Sequence, residues 1–257
     1  MNILVLGDVV NETGCEFVRK KLPSLKKLKA IDFCVANGEN SATGNGITPH
    51  SAEYLFSAGV DFITTGNHVF RRKEVYDLLD ESDFIIRPYN YHKSSPGKGY
   101  SVIDAGRFSV GVLNLAGSMF LDKCDCPFES AKKAVEEIKK QTDIILVDFH
   151  AEATSEKKAL GFFLDGEVSA FFGTHTHVLT NDADILPGGT GYITDIGMCG
   201  VIDSVLGVDK NIIIEKFRTN MPAKFNPANG PCMINGCIFT IDEKTGKCTA
   251  AETIDLR

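Results

Sequence analysis

Several signatures are missing from this chain of 257 residues, and each absence removes a class of function. No apolar run approaches the ~18 residues that a membrane-spanning helix needs. The opening "MNILVLGDVV" has no basic n-region and no cleavage signal, so a first β-strand of a cytoplasmic protein is expected there. There is no G-x-x-x-x-G-K-[ST] loop and no G-x-G-x-x-G at a strand-to-helix turn, so NTPase and dinucleotide-binding readings lose support. No G-x-S-x-G elbow is present for a serine hydrolase. Basic charge is scarce: 27 Lys and Arg stand against 34 Asp and Glu, a net charge of -7. Dispersed as they are, these cations disfavour a stable complex with nucleic acid, though not a small phosphate ligand in a local positive site. A disulfide framework is not expected either, because eight cysteines in a chain of this length without an export signal read as free thiols. Cys124 and Cys126, with Cys232 and Cys237, do not have a standard zinc-site spacing.

What is present is a rhythm. Hydrophobic residues make up 43% of the chain and charged ones 24%, enough for a sizeable core. Runs rich in Val, Ile, Leu and Phe recur at 2–8, 31–40, 60–68, 143–150 and 168–177, nearly continuous in apolar residues as buried strands are. Helical patterns over 13–29, 49–58 and 72–80 separate the early ones, long enough for parallel crossovers. Further helices are expected at 129–141 and 155–164. From about 183 the texture alternates more: "GTGYITDIG", "NIIIEKF" and "CMINGCIFTID" suggest antiparallel strands of a second sheet. "DEKTGK" (242–247) reads as a hairpin turn, and the Pro- and Asn-rich segment 218–231 as a loop placed to lie over a site. With no repeat or linker in view, one α/β domain over 1–257 is expected, two sheets packed together with helices outside.

Each early run ends on polar residues: Asp8; Glu39 and Asn40; Asn67 and His68; His150; His175 and His177. Ligands bind beyond the carboxyl ends of strands in α/β sheets, so these side chains are placed to converge. Imidazoles, carboxylates and amide oxygens without a thiolate suit divalent Mn, Fe or Zn. His175 and His177, two apart in the 168–177 strand run, are expected on the same face, each reaching one of two neighbouring metals. Glu39 has two oxygens with which to bridge such a pair. Taken singly, each residue has a plainer explanation as a turn, a cap or a hydrogen-bonded core histidine. Their joint occurrence at strand ends favours metal. His50, at a helix start, and His92, in the loop "YNYHKSSPGKG", stand outside the set. "ATGNGIT" (42–48) is glycine-rich ahead of a helix and offers amides to a phosphate.

The order Asp, acidic residue, Gly-Asn-His, His, Gly-x-His-x-His resembles the calcineurin-like metallophosphoesterases. That superfamily opens with Asp-x-His, whereas here Val10 follows Asp8-Val9; its bridging Asp is Glu39, and Asn40 brings an amide oxygen to the vacated position. This departure, with "GDVV", "ANGENSATGNGIT", "TGNHVF", "DFHAEATSEK" and "TDIGMCG", resembles the YmdB-like phosphodiesterase branch over the whole chain. The resemblance implies a four-layer αββα sandwich, two mixed β-sheets flanked by helices. It also implies two divalent metal ions, Fe or Mn ahead of Zn, and hydrolysis of cyclic nucleotides by a water activated between them. The substrates it implies are 2′,3′-cyclic mononucleotides, with 3′,5′-cyclic mononucleotides behind them. By position, one metal takes Asp8, Glu39, Asn40 and His177, and the other Glu39, Asn67, His150 and His175. His68 is left free of metal as the catalytic side chain facing substrate. Relatives often carry an Arg where "NLAGSMF" stands, and Ser118 is expected in that place. A homo-oligomer is implied too. The rival readings are a broader metallophosphatase or nuclease, and a regulatory protein whose metal site hydrolyses only weakly.

Overall fold

The computed structural model describes residues 1–257. The chain runs through β1 (Asn2–Leu6), β2 (Asp8–Val9), α1 (Asn11–Leu28), β3 (Phe33–Asn37), α2 (Pro49–Ser57), β4 (Phe62–Thr64) and α3 (Tyr76–Glu81). It continues through β5 (Tyr100–Asp104), β6 (Ser109–Ala116), α4 (Pro127–Ile138), β7 (Ile145–His150), α5 (Thr154–Phe163), β8 (Ala170–Thr174), β9 (Asp184–Ile185) and β10 (Gly191–Ile193). It closes with β11 (Met198–Val201), α6 (Lys210–Thr219), β12 (Cys232–Ile241) and β13 (Cys248–Leu256).

Alternation along the strands decides the layers. In β1, Leu4 and Leu6 pack with Val18 and Leu22 of α1 and Leu55 of α2, whereas Ile3 and Val5 face the second sheet. In β7, Leu146 points into the space between the sheets, and Ile145 and Val147 point out to α4 and α5. Three apolar layers therefore separate four structural ones: helices, sheet, sheet, helices. The first sheet has the order β2-β11-β12-β1-β3-β4, with β13 on β12; the second has the order β5-β6-β7-β8-β10-β9. Both are mixed. β1, β3 and β4 run parallel through crossovers α1 and α2, while β12 lies antiparallel to β1. β6, β7 and β8 run parallel through α4 and α5, with β5 antiparallel at the edge.

Several expectations change in detail. "NIIIEKF" is helical, lying within α6; Asp209 caps its start by accepting from the Asn211 N–H, and Asn220 ends it at φ 56°. Its isoleucine run has only Ile213 buried, so it forms one stripe of a surface helix and not a strand. The change of texture near 183 does not divide the sheets: β9 and β10 extend the second sheet, and β11 to β13 complete the first. The helical pattern over 72–80 is one 3₁₀ turn (Lys73–Val75) running into α3, with another 3₁₀ turn at Val69–Arg71 just ahead of it. The hairpin turn at 242–247 is present, its Asp242 carboxylate accepting from the Lys244 and Thr245 amides.

Candidate metal centre

The two sheets present their carboxyl ends on one side, and both contribute to the site. Asp8 follows β1; Glu39 and Asn40 follow β3; Asn67 and His68 follow β4. His150 ends β7, and His175 and His177 follow β8. All eight side chains named from the sequence meet there. Tight backbone contacts make the convergence possible. A Cβ at Gly66 would overlap the His150 ring, so only glycine lets the segment leading to Asn67 lie against it. His175 and His177 do not share a strand face, because β8 stops at Thr174 and both adopt left-handed backbone, φ 97° and 62°. Such strain in non-glycine residues is found where a side chain must be aimed.

One group forms around Glu39. Its Oε1 lies 3.1 Å from His150 Nε2. That nitrogen is 2.9 Å from Asn67 Oδ1 and 3.1 Å from His175 Nδ1. The hydrogen bonds behind these atoms fix their chemistry. Thr174 gives its single proton to Asp148 Oδ1 at 2.7 Å, so it accepts from His150 Nδ1 at 2.9 Å. In the neutral ring, His150 Nε2 then carries a lone pair. His175 Nε2 faces Glu152 Oε2 at 3.0 Å, which leaves its Nδ1 as the lone-pair atom. Four acceptors thus point at one another. Ligands about 2.1 Å from an octahedral ion stand roughly 3 Å apart, so this spacing fits one cation among them. Glu39, His150 and His175 have ligand atoms that all lie within 4.8 Å of one another.

A second group adjoins it. His177 Nε2 is 3.4 Å from Asp8 Oδ1, and Asn40 Nδ2 is 3.3 Å from both atoms and 3.4 Å from Glu39 Oε1. Asn40 Oδ1 lies 3.0 Å from His68 Nδ1. A carboxamide is nearly symmetric in shape; turned by 180° it would offer oxygen to Asp8 and His177 and an N–H to His68. Glu39 belongs to both groups, as a bridging carboxylate must. His177 Nδ1 is buried without a partner, so the polar contacts of this ring are all at Nε2, the atom turned to Asp8 and Asn40. The donor set therefore fits two divalent ions.

The charges agree. Burial opposes ionisation of Asp8 and Glu39, yet the facing imidazoles outweigh it and hold both carboxyls below their usual range. Burial would lower His150, but Glu39 and Asp8 lift it to about 9. Burial and the neighbouring His150 bring His175 down to about 4. His68 donates its backbone N–H to Glu39 Oε2 at 2.8 Å, and its ring stands at the edge of the cluster. Burial holds its pKa below the ordinary value, with Glu39 opposing.

Behind the ligands lies a fully buried polar layer. Asp148 accepts from Thr64 and Thr174 beneath His150, and burial pushes its carboxyl up to about 6. Lys157, on α5, donates to Thr174 O at 2.9 Å and Asp195 Oδ2 at 2.7 Å. Asp195 in turn accepts from the Thr176 and Gly197 amides, clamping the segment that carries His175 and His177.

Two cavities open on the cluster. One of ≈ 550 Å³ covers Glu39, His68, His175 and His177, walled by Phe225 and Pro227 of the 218–231 loop and by Gly44 and Asn45. The other, ≈ 560 Å³, lies beside Asn67 and His68 and is lined by Arg71, Tyr91, His92 and Lys123. Sequence reasoning does not mark Arg71, Tyr91 or Lys123 as site residues, and it places His92 in a loop from which it could approach a substrate. The Arg pair in "NHVFRRKE" was the available signal: Arg71 reaches the cavity, and Arg72 braces the glycine-rich loop through the Thr43 and Asn45 carbonyls. Ser118 faces elsewhere, its hydroxyl and amide donating to Glu156 at 2.7 and 2.8 Å. Lys123 of the same loop lines the cavity beside His68 instead.

Known proteins resemble this chain throughout its length. The model of the family described as YmdB-like protein matches residues 4–254. A Bacillus subtilis (strain 168) protein named 2′,3′-cyclic-nucleotide 2′-phosphodiesterase is 44% identical over 254 residues, 99% of this chain and 96% of that one. A crystal structure from Thermus thermophilus, titled as a hypothetical protein, superposes with TM-score 0.93 at 39% identity, covering 100% of both chains. That of a novel phosphatase from Mycoplasma pneumoniae gives TM-score 0.93 at 34% identity, covering 100% of this chain and 93% of the other.

Proposed function

From the premise that this chain belongs to the YmdB-like family, we propose that it is a dinuclear metal-dependent phosphodiesterase hydrolysing 2′,3′-cyclic mononucleotides, with 3′,5′-cyclic mononucleotides as a second substrate class. The observation that carries this reading is the convergence of four lone-pair atoms, from Glu39, Asn67 and His175 around His150 Nε2, beside a histidine that is not among them. Asp8, Glu39, Asn40 and His177 would hold one ion; Glu39, Asn67, His150 and His175 would hold the other. Iron or manganese suits this nitrogen and oxygen set, with zinc as the third choice. When bound, the pair supplies Lewis acidity and lowers the pKa of water at neutral pH.

The remaining chemistry belongs to the protein. Asp8 and Glu39 bring two negative charges, so two divalent ions held there would leave a positive excess suited to an anionic phosphodiester. Arg71 and Lys123 add positive field at the mouth of the His68 cavity. With the Asn40 carboxamide turned so that its oxygen would be available to an ion, its N–H is given to His68 Nδ1, which must accept. The proton of His68 then sits on Nε2, the atom free to face the substrate. From there its N–H donates a hydrogen bond that steadies the charge growing on the phosphoryl oxygen or on the leaving oxygen. An alkoxide is a poor leaving group, so this proton matters more for ribose diesters than for nitrophenyl esters.

The test is hydrolysis of 2′,3′-cAMP and bis-p-nitrophenyl phosphate, with metal content determined on the same samples of wild type, Asp8→Ala and His68→Ala. About two metals per chain are expected in wild type. Asp8→Ala should lose metal and activity together; His68→Ala should keep metal and lose about 10²–10⁴-fold in turnover of the cyclic nucleotide. A metal-loaded wild type that turns over neither substrate would rule the reading out.

A further inference from the structure

Between β4 and β5 the chain buries an arginine without an acid. Arg87 is 5% exposed. Its two hydrogen bonds both leave Nη1, for the carbonyls of Pro88 and Tyr89, and its Nε is buried with no partner. A buried guanidinium ordinarily sits against a carboxylate, because taking the charge out of water is costly. Here it lines a cavity of ≈ 800 Å³ that contains none of the proposed metal ligands. That volume lies within the range of about 300–1,000 Å³ typical of small-molecule sites.

The rest of the lining has a consistent chemistry. Lys93 and Lys133 face the cavity with Arg87, against Asp125 and Glu129, while Lys98 is paired with Asp83. The free charges leave an excess of one cation on a protein whose net charge is -7. Tyr89 and Tyr100 stand in the same wall with ring centroids 5.9 Å apart. Aromatic faces beside cations are what a base and its phosphate require. Asp125 and Glu129 offer acceptors for exocyclic amino groups. Only Tyr91 and His92 are shared with the cavity beside His68, so the two spaces adjoin across one wall.

We propose that this cavity is a nucleotide-binding site separate from the metal centre. It takes a nucleoside monophosphate, with the phosphate on the unpaired Arg87 and the base against Tyr89 and Tyr100. The inference does not depend on the hydrolytic reading, since none of the residues it uses is a proposed ligand and His68 plays no part.

The test is calorimetric titration of 5′-AMP, adenosine and inorganic phosphate into the full chain carrying Asp8→Ala, with Mn²⁺ present. One 5′-AMP site per chain should survive Asp8→Ala. Arg87→Gln on that background should weaken it about tenfold or more, the loss expected for a charge-assisted hydrogen bond. Lys93→Ala with Lys133→Ala, both at exposed positions, should weaken it about threefold and provides the test if Arg87→Gln fails to fold. The proposal is overturned if 5′-AMP does not bind with Kd below roughly 10 mM. It is equally overturned if neither variant alters binding. Phosphate alone binding as tightly as 5′-AMP would make this an anion site and refute its nucleotide character.

Discussion

Replacing Lys157 by methionine should be among the most damaging single changes in the molecule, although the residue touches no proposed ligand side chain. Lys157 and Asp195 have side chains 0% and 1% exposed, with 2.7 Å between Nζ and Oδ2. Removing one member of a buried pair leaves the other charged, desolvated and unopposed, a loss of about 3–5 kcal/mol. Asp195 would keep its bonds from the Thr176 and Gly197 amides, which places the expected loss nearer the lower bound. A loss of about 3 kcal/mol lowers Tm by roughly 10 °C in a protein of this size. Urea unfolding of wild type, Lys157→Met, Asp195→Asn and the double variant measures it. The double variant should be more stable than the sum of the singles predicts, by about 1 kcal/mol or more, because the orphaned charge is gone. The Thr174 carbonyl loses its donor as well, so Mn²⁺ affinity should fall about tenfold, as for other supports behind a ligand. A Lys157→Met chain within about 1 kcal/mol of wild type would refute the claim that this pair clamps the His175 segment.

Two further outcomes are expected. Gly66→Ala pushes a methyl into the His150 ring, which its Thr174 bond keeps from turning away; about 1–3 kcal/mol of stability should go, and metal content per chain should fall with it. A normally folded variant with full metal would show that Gly66 is not needed for the approach. The pH dependence of metal uptake should follow His150. Its pKa in the metal-free fold is raised to about 9, so the stability it contributes is complete below its unfolded value near 6.5 and lost as pH rises through about 9. Cation and proton compete for the same Nε2 lone pair, so Mn²⁺ should raise Tm more at about pH 9 than at about pH 6.5. Equal shifts at both values would contradict that competition.

Much of this architecture is readable in the order of residues, and the unread parts have physical reasons. β1, β3, β4, β7 and β8 are buried on both faces, so their sequences are almost purely apolar and their polar ends stand out. That is why Asp8, Glu39, Asn67 and His150 can be named from sequence. β5 at the sheet edge alternates over only five residues, too short a run to stand out from its surroundings. Lys157 and Lys158 are neighbours of the same kind, yet the first is fully buried while the second is exposed and pairs with Asp182 at 2.9 Å. Only the packing of α5 against β8 distinguishes them. Arg87 carries no local mark either: its isolation is a matter of which carboxylates are absent around it in three dimensions. The left-handed turns at His175 and His177 depend on Asp195, 20 and 18 residues downstream, and no reading of "GTHTH" alone contains that.

The position of β1 between β3 and β12 has a consequence for biosynthesis. β1 pairs with Thr240 to Gly236 on one side and Phe33 to Ala36 on the other. Its second neighbour is therefore made more than two hundred residues later. At about 5–20 residues per second, the nascent chain spends tens of seconds or less with Leu4 to Leu6 lacking one edge. During that interval Asp8 lacks β11, the strand that pairs with β2. Pairings of such long range close slowly and late. The group around Asp8 and His177 should therefore reach its final arrangement only after the carboxyl-terminal strands leave the ribosome, and a nascent chain stopped before β12 should carry an unfinished centre.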